Sequence, residues 1–471
     1  MAPTATSPSP SPSWADPDSL RTSFTLSMSA MYKSEVPLYG ALLHIVSAVS
    51  AATLASSVDP HILALRHGSS RLDIERHGAI RLSTSHELRT IRRVFAVIGL
   101  YPVGYYDLAP AGLPMHATCF RPVDADALAR NPFRVFTSVL RPELVHDVEA
   151  RDLALGLLSE RSIFSDELLH LLDLADAQSG RLTESQGQKF IPAAMSTFRW
   201  AGTASASAAD YQRLAAAHPI LADVACFRSA HINHLTPRTL AIAAAQTAMI
   251  SAGLRVKDRI EGPPVRSCPI LLRQTSFLAV EERIHFPAGG EGTHRARFGE
   301  IEERGAAVTR EGRRLYDELL GEAMVATQRA AVGAMPTALD EQLARAFEKY
   351  PDDWTELRNR RLVYFIYRPT RNGIASPLSK RPYVLDELLG EEMVEAIPIT
   401  YEDFLPLSAA GIFQSNLGAA STDQGLSAAP DVRGMEEALG TGLNDPDELY
   451  RDIEKASIAQ CAETLGVVIQ Q

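Results

Sequence analysis

Basic residues do not predominate in this chain: 46 lysines and arginines stand against 57 acidic residues over 471 positions, a formal net charge of -11. No basic run with interleaved aromatics presents a face to nucleic-acid phosphates, so the expectation is a protein with no nucleic-acid partner. Cysteine is scarce. Cys119, Cys226, Cys268 and Cys461 are scattered with no C-x-x-C spacing, which argues against a disulfide framework and fits free thiols in a reducing compartment. No unbroken apolar run reaches the roughly 20 residues of a membrane span. Leu38 to Leu54 comes nearest, but Gly40, His44, Ser47 and Ser50 interrupt it, and it reads as a buried globular helix. The N-terminus lacks the basic start and apolar core of a secretory signal. The expectation is a cytoplasmic protein with no membrane partner.

What is present is an ordinary core-forming composition, 46% hydrophobic and 22% charged, on a chain long enough for several domains' worth of core. Residues 1–18 are rich in proline, serine and alanine and read as a disordered leader. A helical segment is expected over 19–76. From residue 77 to 141 the pattern predicts the order βαβββ. Gly78 to Ser83 reads as a strand, and Ser85 as the cap of a helix to about Ile98, ended by Gly99. Strands follow over Tyr101–Leu108, Met115–Pro122 and Phe133–Leu140.

The same order returns over 230–305. Ala230 to Leu235 reads as a strand, Thr236 as a helix cap with Pro237 at the first helical position, and Leu240 to Ala252 as the helix. Strands are expected over Arg255–Glu261, Pro269–Val280 and Arg295–Arg304. Residues 142–229 form a helical insertion with helices over Ser165–Ala177 and Glu184–Trp200. Residues 306–471 form a mixed, mainly helical wrap. Helices are expected there over Thr309–Ala326, Asp340–Tyr350 and Leu385–Ala396, and a strand over Leu362–Tyr367. The expected fold class is α+β, with paired βαβββ modules forming a half-open sheet.

Three short stretches carry the chemistry: Arg76-His77-Gly78-Ala79-Ile80-Arg81, Asn233-His234-Leu235-Thr236-Pro237-Arg238, and Glu300-Ile301-Glu302-Glu303-Arg304-Gly305. Alternation puts His77, Ala79 and Arg81 on one strand face, with His77 and Arg81 about 13 Å apart at their Cα atoms. An imidazole can hold a metal at one end of a small molecule while a guanidinium fork grips a carboxylate at the other. Two first strands with a histidine each and a last strand with a glutamate can meet around one ion. That leaves positions open for dioxygen and a chelating substrate, as in non-haem iron(II) oxygenases. Glu300 and Glu302 share a face, so spacing does not choose between them, and His231 competes with His234.

Together with Glu402-Asp403-Phe404-Leu405-Pro406-Leu407-Ser408-Ala409-Ala410-Gly411-Ile412-Phe413, these stretches resemble the 2-oxoadipate dioxygenase/decarboxylase family of the vicinal-oxygen-chelate superfamily, from about Tyr32 to Leu417. The resemblance implies that His77, His234 and Glu302 bind iron(II). It also implies that Arg81 binds the far carboxylate of the substrate, with Leu407 and Ser408 lining that end of the pocket. The implied reaction takes 2-oxoadipate and O2 to 2-hydroxyglutarate and CO2, a step in lysine breakdown that needs no separate 2-oxo acid. A zinc or manganese isomerase on the same fold, and a non-catalytic small-molecule-binding relative, are the competing readings.

Overall fold

A computed structural model describes residues 13–58, 62–63, 65, 69–330, 337–376, 378–379, 381–405, 426 and 429–470 of the chain. Its centre is a mixed five-stranded sheet built from β1 (Arg76–Leu82), β2 (Tyr101–Asp107), β3 (Met115–Arg121), β4 (Arg134–Leu140) and β5 (His234–Pro237), in the order β2-β3-β4-β1-β5. β1 runs parallel to β4, with His77 opposite Arg134, and antiparallel to β5, with Ala79 opposite His234. The connection from β1 to β2 is the helix Ser85–Val97. Its apolar residues recur at helical spacing, so Leu88, Ile91, Val94 and Phe95 share one buried face with Leu82, Phe120, Val135 and Val139 of the sheet. Each such side chain contributes about 1.5–3 kcal/mol by leaving water. The cap is Thr84 rather than Ser85: its hydroxyl accepts from the Glu87 N–H at 3.1 Å. Gly99 ends this turn at φ +72°, a conformation that favours glycine.

Beyond β5 lies an antiparallel pair, β6 (Leu272–Ser276) and β9 (Glu300–Arg304). A hairpin of β7 (Glu282–His285) and β8 (Glu291–His294) sits between them in sequence. β9 lies beside β5. Arg238 and Glu302 form a parallel bridge, Thr239 donates its N–H to the Glu302 carbonyl at 2.7 Å, and Phe298 donates to the Asn233 carbonyl at 3.1 Å. This half departs from the sequence expectation. Thr236 and Pro237 belong to the strand, where Pro237 faces Arg76, and the helix begins only at Ile242 with no side-chain cap. Arg255–Glu261 forms single bridges, Val256 to Phe277 and Glu261 to Gln274, in place of a regular strand.

Other differences are local. The chain is structured before residue 19: Ala15 donates to the Leu182 carbonyl at 2.9 Å, and Asp16 caps the helix Pro17–Glu35. The helix Pro37–Ser56 is the one helix among the described residues long and apolar enough, by length and composition, to cross a membrane. It buries only the stripe Tyr39, Leu42, Val46 and Ser50, so the expected buried helix is largely open on its outer side. The insertion also holds helices over Val148–Ser159, Ala208–Ala217 and Pro219–Ala225. In the C-terminal wrap the expected helix Leu385–Ala396 stops at Gly390. Glu392 turns the chain at φ +55°, and β11 (Val394–Pro398) then pairs with β10 (Phe365–Pro369).

Candidate metal centre

The three stretches converge because β1 lies between β4 and β5, and β9 lies beside β5. On β1, alternation turns His77 and Arg81 to the same buried face. Gly78 permits the close approach of the segment before β5, since a Cβ there would meet Ile232 Cδ1 at 2.5 Å. His234 opens β5, and Glu300, Glu302 and Arg304 share a face of β9.

His77 Nε2 lies 3.0 Å from Glu300 Oε1, and His234 Nε2 lies 3.7 Å from the same oxygen. The two imidazoles stand 5.4 Å apart at nearly a right angle. His77, His234 and Glu300 each offer a ligand atom, all within 4.8 Å of one another, and all three residues are buried. Glu300 also accepts from the Thr236 hydroxyl at 3.0 Å and from Gln274 Nε2 at 2.9 Å. Burial pushes His234 down to about 4, which leaves its imidazole neutral at physiological pH. Burial works against ionising Glu300 too, but His234 and His77 outweigh it and hold its carboxyl below the usual range. Two neutral-capable imidazoles and a carboxylate suit a divalent transition metal, iron(II), zinc and manganese among them.

Glu302 faces the other side of the His77 ring. Its Oε2 lies 2.8 Å from His77 Nδ1, and its two oxygens accept from Arg304 Nε and Nη2 at 2.8 Å each. Arg134 Nη1 stands 3.7 Å away. Despite full burial, Arg304 and His77 keep the Glu302 carboxyl well below the ordinary carboxylate range. Burial likewise opposes an imidazolium at His77, and Glu302 and Glu300 overcome it, raising the His77 pKa. With a metal at Nε2, the Nδ1–H is left to donate to Glu302, the arrangement that fixes tautomer and ring orientation in metal sites. The resemblance names Glu302 as a ligand; the three clustered ligand atoms are those of His77, His234 and Glu300.

Behind Glu302 lies a buried ionic lattice. Glu75 accepts from Arg134 at 2.9 Å and from Arg71 and Arg238 at 3.3 Å each. Glu402 pairs with Arg71 at 2.7 Å and with Arg134. The neighbouring Asp403 takes a bidentate pair from Arg121 at 2.7 and 3.0 Å and the Tyr450 hydroxyl at 2.5 Å. These bonds anchor the Glu402-Asp403-Phe404 stretch so that the Phe404 ring packs edge-on against His77 at 4.8 Å. Leu407 and Ser408, expected at the substrate, lie outside the described residues.

Arg81 ends the same face of β1. Its Nη1 donates to Asp223 Oδ2 at 2.5 Å, and both residues are buried. Asp223, with His231 and His294, makes a second group of clustered, buried ligand-type atoms. His231 is therefore apart from the first group, and His234 is in it. Sequence reasoning passed over Asp223 and His294. No short motif contains them, because one comes from the helix Pro219–Ala225 and the other from the β7–β8 hairpin. Arg304, two residues after Glu302 on the same face, was the one local sign that Glu302 already had a cationic partner.

Fold and site together define an α+β protein with a buried two-histidine, one-carboxylate centre and an arginine farther along the same strand. The sequence matches the model of the 2-oxoadipate dioxygenase/decarboxylase family over residues 24–416. It is 45% identical over 465 residues to the 2-oxoadipate dioxygenase/decarboxylase of Pseudomonas putida, covering 97% of this chain and 99% of that one. To the enzyme of the same name from Escherichia coli K12 it is 45% identical over 446 residues, covering 94% and 98%. The hydroxyglutarate synthase of Pseudomonas putida, solved in complex with 2-oxoadipate, superposes with a TM-score of 0.87 at 43% identity, covering 97% of this chain and 100% of that one. The chain belongs to the 2-oxoadipate dioxygenase/decarboxylase family, and is an enzyme.

Proposed function

We propose that the chain converts 2-oxoadipate and O2 to 2-hydroxyglutarate and CO2, a step in lysine breakdown, with iron(II) held by His77, His234 and Glu300. The observation that carries the reading is the meeting of these three buried side chains, from β1, β5 and β9, on the same strand face that Arg81 extends. The overall reaction balances. C1 leaves as CO2, C2 becomes a carboxylate with one atom of O2, and C3 takes the other atom as its hydroxyl. Bound iron(II) supplies the open coordination positions and the redox capacity that O2 chemistry needs.

The chain's own residues supply geometry. Arg81 binds the distal carboxylate through a charge-assisted fork, which holds the carbon chain extended between clamp and centre. Glu302 accepts from His77 Nδ1 and so orients the ring, while Arg304 pins Glu302. Burial of the whole set keeps water from the reacting end. Leu407 and Ser408 complete the substrate end on the strength of the family resemblance. A second ligand reading, with Glu302 on the metal, draws on that resemblance and on the 2.8 Å approach of Glu302 to His77. It requires a metal to take the Glu302 oxygen that faces His77 Nδ1.

The fold reading extends likewise. β1 to β4 make one βαβββ module; β5, the bridged segment 255–261, β6 and β9 make its counterpart. The supporting pairings are β1 parallel to β4 beside a single parallel bridge from Arg238, just past β5, to Glu302 of β9, and β3 antiparallel to β4 beside β6 antiparallel to β9. The two modules join through β1 and β5.

Metal-stripped protein reloaded with iron(II), in an oxygen electrode with 2-oxoadipate, tests the activity. Oxygen uptake matched by CO2 and 2-hydroxyglutarate is the expected result. No uptake with iron would reject it, and turnover that zinc supports without oxygen would reject it in favour of an isomerase.

A further inference from the structure

The Asp223–His231–His294 cluster is distinct from the three residues gathered around His77, yet it touches the one residue to which the substrate's far end is assigned. Asp223 Oδ2 takes Arg81 Nη1 at 2.5 Å. Its other oxygen, Oδ1, faces two imidazoles, with His294 Nε2 at 2.9 Å and His231 Nε2 at 3.2 Å. Tyr211 stands at the other nitrogen of His294, its hydroxyl 2.9 Å from Nδ1. The same Tyr211 hydroxyl donates to the Thr293 carbonyl at 3.2 Å, so His294 is held through both ring nitrogens, Nε2 against Asp223 and Nδ1 against Tyr211. The Trp200 indole stacks on His294 at 5.7 Å and meets His231 edge-on at 4.8 Å. All the members except Tyr211 and Trp200 are at least nine-tenths buried. Burial alone would raise the Asp223 carboxyl, and Arg81 and His231 beside it hold it well below the ordinary range.

A metal ion is the obvious alternative occupant of two histidines and an aspartate. The guanidinium argues against it, because a permanent cation already lies on one oxygen of the only carboxylate in the group. What the arrangement does supply is a rigid mount. An arginine side chain has several rotatable bonds and loses appreciable freedom when its head is fixed. Here the head is fixed by a carboxylate that is itself gripped from a second direction.

We propose that Asp223, held by His294 with His231 packed beside it, is a positioning residue that sets where the Arg81 guanidinium sits and so determines the chain length of the 2-oxo diacid accepted. The inference rests on the reading of Arg81 as the distal-carboxylate clamp. The metal end and the clamp are then two fixed points, and the number of methylenes between the substrate's carboxylates must match their separation. A misfit of one methylene in a fixed site is worth about 10–200-fold in selectivity. A guanidinium released from Asp223 can follow a shorter or longer chain, and that discrimination declines.

The test compares kcat/KM for 2-oxoglutarate, 2-oxoadipate and 2-oxopimelate, which differ by one methylene each, in Asp223→Asn and wild type. The preference for 2-oxoadipate over each neighbour is expected to fall by about tenfold in the variant, and Asp223→Glu is expected to shift the preferred length. If Asp223→Asn fails to fold, His294→Gln loosens the same mount and is expected to lower the preference in the same direction by a smaller factor. A loss equal for all three diacids would overturn the proposal, since a merely structural residue leaves the ratios unchanged. A second equivalent of bound metal that disappears in Asp223→Asn and His294→Gln would also overturn it and make the cluster a cation site. Arg81→Met, assayed with 2-oxoadipate against the monoacid 2-oxohexanoate, separates the two levels. An unchanged ratio there removes the clamp reading and this inference with it, whereas a collapsed ratio with no length effect at Asp223 removes the inference alone.

Discussion

Glu302→Gln and Glu300→Gln, made separately, should fail in different ways. The Glu302 carboxylate is fully buried, accepts from Arg304 through both oxygens at 2.8 Å, and meets His77 Nδ1 at 2.8 Å. Glutamine keeps one acceptor and turns an NH2 group toward a guanidinium donor. Breaking a buried ion pair by removing one partner costs about 3–5 kcal/mol. Arg304 retains the Tyr401 and Asp403 carbonyls at 2.9 Å each, so the lower end, about 3 kcal/mol, is the expected loss. Glu300 has two neutral donors among its partners, Thr236 and Gln274, and an amide can accept from both. Metal-free stability should then change by about 1 kcal/mol in Glu300→Gln. The ion reverses the ranking. Glu300→Gln should bind almost no metal, whereas Glu302→Gln should bind it about 10–100-fold more weakly, as for a carboxylate that orients a ligating histidine. Urea unfolding of chelator-treated protein reads the first quantity without the stabilisation that bound metal adds, and metal titration reads the second. Full metal binding by Glu300→Gln, with none by an undestabilised Glu302→Gln, would refute the division of roles.

Arg81→Met should keep its metal and raise KM for 2-oxoadipate by about 10–100-fold, the value of a hydrogen-bonded charge; loss of the metal in that variant would mean a structural role instead. Gly305→Ala should destabilise by about 1–3 kcal/mol in a thermal melt. Its new Cβ would sit 2.4 Å from the Pro269 carbonyl carbon and oxygen, where backbone cannot yield. Asp403→Asn should cost about 3–5 kcal/mol by unpairing Arg121 and lower turnover as well, because the same stretch seats Phe404 on His77; normal turnover in a destabilised variant would break that link.

The first half of the sheet was legible in the sequence because its signals are local. The four strands, the helix that starts beside Ser85 and the turn at Gly99 all appear within a residue or two of their expected places. The second half was less legible. Pro237 after Thr236 has the local chemistry of a helix start, but pairing with β1 draws both into a strand. The β7–β8 hairpin separates β6 from β9 by more chain than a simple repeat suggests. At the site, period-two alternation put Glu300 and Glu302 on one face and could go no further. What distinguishes them is tertiary: Thr236 and Gln274 on one, Arg304 and the Arg134 lattice near the other. Asp223 and His294 carried no signal at all, since their partnership with Arg81 exists only once the insertion and the hairpin fold against β1.

One ion is expected among His77, His234 and Glu300. Anomalous scattering measured on either side of the iron edge, from crystals of the iron-loaded protein grown without oxygen, tests it most directly. The expected result is a single peak within bonding distance of His77 Nε2, His234 and Glu300, with Glu302 still on Arg304 and His77 Nδ1. A peak bonded to Glu302, or one among Asp223, His231 and His294, would contradict it.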